Sequence, residues 1–128
     1  MQITTMAGVV FHFNPNSIVV ITGPHQNDHD SRLYVHGITK RGLVIAGDAA
    51  AFVASLPNSN EFAKVTFALT NKSFWVHAPK VTSVSAPTAE NLVNVPLAKA
   101  VLHVHIPRYI VETVDQARTL LNAAGGNV

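Results

Sequence analysis

His25-Gln26-Asn27-Asp28-His29-Asp30 gathers two imidazoles and two carboxylates into one short stretch, the donor set taken by zinc or a harder cation. A metal site also needs ligands held in place by a second shell. Gly23-Pro24 leads into this stretch with no rigid element behind it, and the second half of the chain has no equivalent. The expectation is therefore a solvated loop and no resident cofactor. Were a metal bound there, His25, Asp28 and His29 would hold it.

His103-Val104-His105 places two imidazoles two residues apart, on one face of a strand. With His36 from the corresponding strand of the first half, a three-histidine cluster is geometrically conceivable. Spacing supplies no acidic residue to orient the rings, so all three are expected to line an outward or interface face. Paired His-x-Thr/Ser motifs, as used by certain phosphoesterases, fail here. Gly37-Ile38-Thr39 follows His36 and Ile106-Pro107-Arg108 follows His105, without a hydroxyl at the needed offset. A serine nucleophile elbow, a phosphate-binding glycine loop and a zinc-protease motif are also missing. Asp48 and Asp115 stand at helix starts, where capping and the helix dipole account for them. No constellation meets the geometric requirements of catalysis, and the reading is a non-enzyme.

Aromatic residues offer a different chemistry. Phe11, Phe13, Phe74, Trp75 and Tyr109 are candidates for base-stacking platforms on a sheet. Phe11 and Phe13 share a face with other apolar residues and read as core. Trp75 lies opposite to Phe74 and Val76, which makes it an exposed stacker or an interface anchor. The cations available to nucleic acid, Lys40, Arg41, Lys72, Lys80 and Arg108, form at most a thin patch. The formal charge is only +2, whereas phosphate neutralisation drives most nucleic-acid affinity.

The elements that carry these residues come in two copies. Sliding Phe11 onto Phe74, an offset of 63 residues, aligns Phe11-His12-Phe13-Asn14-Pro15 with Phe74-Trp75-Val76-His77-Ala78-Pro79, the proline landing one position off. A β-branched run follows in each, residues 18–22 and 81–84, closed by Gly23-Pro24 and Ala86-Pro87. Residues 17–22, apolar on both faces, read as a strand buried on both sides, and 80–86 as its counterpart. Residues 32–37 with 43–46, and 102–105 with 108–112, read as hairpins, and 87–97 as a long loop. Asp48 caps a helix whose stripe is Ala49, Phe52, Val53 and Leu56. Thr113, with Gln116 as a capping box, opens a helix with Val114, Ala117, Leu120 and Leu121 on one face. The expected fold is α+β and β-rich: a tandem repeat of a strand-strand-strand-strand-helix unit, its second strand kinked at proline. The units span 1–58 and 64–124, with a linker at 59–63, packed as a pseudo-dimer sharing one core.

The pattern Ala7-Gly8, Phe11, Asn14-Pro15, Ile18 and Ile21, then a hairpin and a short helix, resembles small flagellar proteins of the FlbD/SwrD type and similar short bacterial and phage proteins. Such a resemblance implies a β-rich fold and carries no catalytic residues. Tandem strand-rich units closed by a helix also resemble the layout of Whirly and PUR-type proteins. That likeness implies single-stranded nucleic-acid binding as an alternative function.

Composition weighs between these. Of 128 residues, 48% are apolar and only 12% charged, about half the usual charged share of ~25%. Such a surface is better covered by neighbours than left in water. Cysteine is absent, which removes disulfide and thiol chemistry. No apolar run approaches the ~18 residues of a membrane span. The expectation is a structural or assembly protein made in a cytoplasm. It would form a homo-oligomer or larger assembly through protein–protein contacts, with no membrane partner. A phage virion component (decoration, cement, or minor head or tail protein) is the setting named. Trp75, Tyr34, His36, His103 and His105 are the interface candidates.

Overall fold

The computed structural model describes residues 1–23, 30–35 and 42–128, which fall into two units, Met1–Ser59 and Asn60–Val128. Among the described residues the protein is strand-rich α+β, with ten strands and three α-helices. The first unit opens with an antiparallel hairpin of β1 (Gln2–Thr4) and β2 (Val10–His12), Ile3 opposite Phe11. Gly8, at φ 83, supplies the left-handed residue of the connecting turn.

Asn14-Pro15 then ends the ladder. Proline has no N–H to donate, and the Asn14 side chain accepts from Asn16 N at 3.0 Å, so a 3-10 turn forms at Pro15–Ser17. The single kinked strand expected from the sequence is therefore two strands. Its second part, β3 (Ile18–Thr22), is buried along its whole length, as the unbroken β-branched run requires. Antiparallel to β3 runs β4 (Asp30–Val35), with Leu33 against Ile21, and β5 (Leu43–Ala46) pairs on the other side of β4. Asp48 caps α1 (Ala49–Ser55) by accepting from Ala51 N at 3.2 Å, and Ala49, Val53 and Leu56 turn inward.

The second unit begins with the antiparallel pair β6 (Phe62–Thr66) and β7 (Ser73–His77). A 3-10 turn at Ala78–Lys80 leads to β8 (Ser83–Ser85). Here the expected buried strand over 80–86 is corrected. Ser83 and Ser85 are exposed and Val84 half-buried, because Ser-Val-Ser alternates where residues 18–22 do not. The expected loop over 87–97 contains a helix, α2 (Ala89–Asn94), opened by a capping box between Thr88 and Asn91. Asparagine in place of the usual Glu or Gln at the third position hid that signal. β9 (Ala100–Val104) lies between β8 and β10 (Ile106–Ile110), all antiparallel.

α3 (Val114–Ala123) carries the capping box read from the sequence, Thr113 with Gln116, and packs Ala117 and Leu121 against β6, β8 and β9. Two glycines end it. Gly125 sits at φ 91; its N–H donates to Asn122 O at 3.3 Å and Gly126 N–H donates to Leu121 O at 2.8 Å, the paired bonds of a Schellman cap. Gly125→Ala is expected to cost about 1–2 kcal/mol from the left-handed backbone alone. Gly126→Ala is expected to cost more, because the added methyl would lie 2.8 Å from the Leu121 carbonyl oxygen. Thermal denaturation of both variants checks the order.

Both units run hairpin, 3-10 turn, three antiparallel strands and closing helix, the second with α2 added between β8 and β9. Among the described residues no helix is long and apolar enough to cross a membrane.

Candidate functional site

Register decides what the β6–β7 pair presents. Phe62 faces His77, Lys64 faces Trp75 and Thr66 faces Ser73 across the ladder, so these six share one face. The opposite face, Ala63, Val65, Phe74 and Val76, is buried. Trp75 is half-buried, with the Lys64 ammonium 5.7 Å from its ring centroid, a cation–π contact worth about 0.5–1 kcal/mol at an exposed site. Its neighbour on the face, His77, is only 2% exposed. His77 Nε2 lies 2.9 Å from Glu61 Oε1, and its ring stacks on Phe62 at 5.0 Å. Nδ1 is buried without a hydrogen-bond partner. In the sequence His77 carries no signal beyond its place two residues before Pro79 in the repeated stretch.

The β8–β9–β10 meander brings His103 and His105 together. Ser83 and Ser85 share a face with His103, and Ser85 Oγ sits 2.8 Å from His103 Nε2. Thr82 Oγ1 donates to the His103 carbonyl at 2.8 Å. Val104 pairs with Ile106, which puts His105 at the corner between the strands, exposed and at φ 58. His103 and His105 border one depression of about 140 Å³, with Thr82 and Pro107. A serine beside an imidazole is the first element of a nucleophilic site. The third element is a group that orients the base, and no carboxylate lines this depression among the described residues. Nor do the described residues hold any group of three or more metal-ligating side chains.

The remaining candidates are dispersed. Tyr34 is half-buried on β4 opposite Val20. Lys72 is exposed in the β6–β7 connection, Lys80 is exposed at the end of a 3-10 turn, and Arg108 is half-buried on β10. They occupy three different elements, and the cation beside Trp75 is Lys64. His25, Asp28, His29, His36, Lys40 and Arg41 lie outside the described residues.

Exposed apolar side chains are the more telling feature. α2 buries none of its residues. Leu92 is 39% exposed, Val93 80%, and Leu97 just beyond it 64%. The segment is nonetheless anchored: Asn91 Nδ2 reaches Tyr109 Oη at 3.4 Å, and Lys99 N donates to Ile110 O at 2.8 Å. Immediately after Ile110 a groove of about 570 Å³ opens along α3, lined by Val111, Glu112, Asp115, Gln116, Thr119 and Leu120. Within the first unit an apolar depression of about 290 Å³ includes Val9, Phe11 and Leu43, with Met6 and Val10 exposed nearby in sequence.

Comparisons with protein-family models, with curated proteins and with solved structures find no match.

Proposed function

We propose that this chain is a non-enzymatic assembly protein that works through protein–protein contacts, with a virion component as the setting its composition favours. The observation that carries the reading is α2. A six-residue helix is far below the length at which helices stand alone in water, about 12–15 residues, and helices in proteins owe most of their stability to a packed apolar face. This one is capped and tethered, yet it leaves Leu92 and Val93 in solvent. A partner surface over residues 88–97 supplies the missing packing. The low charge of the chain supports the same reading, since little of the surface opposes close approach.

The reading includes a duplicated architecture. The two 3-10 turns, at Pro15–Ser17 and Ala78–Lys80, stand at the same 63-residue offset as the sequence repeat. The shared element order supports one ancestral unit, with α2 as the second copy's addition.

Single-stranded nucleic-acid binding is the second reading, and the Lys64–Trp75 pair favours it. A half-buried indole beside a cation is a stacking platform in miniature. Light scattering at two protein concentrations, with and without a short single-stranded oligonucleotide, separates the two. A concentration-dependent mass that ignores the oligonucleotide supports assembly. An oligonucleotide-dependent shift that high salt abolishes overturns it. Trp75→Ala is expected to keep the fold, since the ring lies outside the core face, at a cost of about 1–2 kcal/mol for lost packing and the cation–π contact. It is expected to abolish any oligonucleotide shift, and chemical denaturation with the same binding assay measures both.

A further inference from the structure

We infer that the partner of residues 92–99 is a second copy of this chain, and that they seat in the α3 groove of that copy. The inference rests on the assembly reading and names its partner. Two surfaces of the second unit complement one another. The projecting one carries Leu92, Val93 and Leu97 in solvent, and the exposed Lys99 ends it. The receiving one is concave, with Val111 and Leu120 as apolar walls and Glu112 and Asp115 as acidic groups.

Charge settles the pairing. Leu97 and Lys99 offer an apolar anchor followed by an ammonium, and the groove offers an apolar floor beside carboxylates. Glu112 is partly committed, its Oε1 accepting from Thr66 N at 2.9 Å. Asp115, in the first exposed turn of α3, is the carboxylate left for a partner. Opposite charges at the edge of an apolar contact fix its register and speed its formation. Leu120 belongs to the same logic: it is 40% exposed on a helix whose stripe otherwise turns inward at Ala117 and Leu121.

The test uses the full chain and its own charge variants. Sedimentation or light scattering over a range of concentrations gives the self-association constant of wild type, Leu97→Asp, Lys99→Asp and Asp115→Lys. None of these positions is in the core, and Thr113 and Gln116 keep the α3 cap intact. Each variant alone is expected to self-associate at least about tenfold more weakly, as like charges then face each other or a charge enters the apolar floor. An equal mixture of Lys99→Asp and Asp115→Lys is expected to recover association to within about threefold of wild type, because every contact between unlike copies is again a complementary pair. Thermal melts of each variant show that recovery on mixing is not refolding. A wild-type chain that stays monomeric at all concentrations overturns the inference, whatever other partner the assembly reading then finds. Association that survives Leu97→Asp and Asp115→Lys unchanged, or a mixture no better than its components, overturns it and leaves the assembly reading standing. Association seen only with oligonucleotide overturns both.

Discussion

Phe74→Ala is expected to destabilise the protein by about 3–5 kcal/mol, the range for truncating a buried aromatic. Phe74 is fully buried, between Val65 and Val76 on the inner face of β6–β7. The Phe67 ring stacks on it at 3.8 Å with the planes 16° apart. The size of the loss depends on whether neighbours can fill the space left behind. They are held: Phe67 N bonds Lys72 O at 2.9 Å, Ala68 N bonds Tyr109 O at 3.0 Å, and Val111 N bonds Thr66 O at 3.1 Å. With the backbone fixed on both sides, the cavity persists and its lining loses contacts on one side. Phe74→Leu, which keeps most of the volume, is expected to cost about 1–1.5 kcal/mol. Urea denaturation followed by tryptophan fluorescence reads both, since Trp75 is the only tryptophan and sits one residue away. An unchanged denaturant slope with a shifted midpoint identifies a pure stability effect. A loss below about 1 kcal/mol for Phe74→Ala would mean the site collapses, and that the hydrogen bonds named do not hold it open.

What the sequence disclosed follows how far apart the cooperating residues lie. Asp48 and Thr113 were legible as caps because their partners are three residues away. The all-buried β3 was legible because five apolar or β-branched residues in a row leave no solvent face. Trp75 was placed on the face away from Phe74 by alternation alone. That Lys64 covers it was not, because the pair exists only once Phe62–Thr66 and Ser73–His77 are in register. The same holds for Ser85 with His103, 18 residues apart, and Glu61 with His77, 16 residues apart. α2 was missed for another reason. A helix that buries nothing within its own chain shows no apolar period, and periodicity is the main signal a sequence offers. The repeat invited one mistaken transfer, of burial from residues 18–22 to residues 80–86, where alternating serines should have taken precedence.

His77→Ala is expected to cost about 2–4 kcal/mol, combining a cavity with a lost hydrogen bond and a lost stack. His77 is 2% exposed, and its ring has two partners: the Phe62 ring stacked on it and the Glu61 carboxylate at Nε2. The variants at Glu61 separate charge from hydrogen bonding. The Glu61 side chain is 35% exposed, so water screens much of any ionic contribution. If Nε2–H donates to Oε1, Glu61→Gln retains an acceptor at the same place and is expected to cost less than about 1 kcal/mol. Glu61→Leu removes the acceptor, and because Nδ1 is already without a partner, both ring nitrogens are then buried and unsatisfied. That outcome is expected to cost about 1–3 kcal/mol, the desolvation penalty of a stranded polar group. The comparison of Gln with Leu carries the argument, measured as denaturant midpoints at one pH. Equal losses for the two would show that the carboxylate's charge, and not its lone pair, holds His77 in the interior.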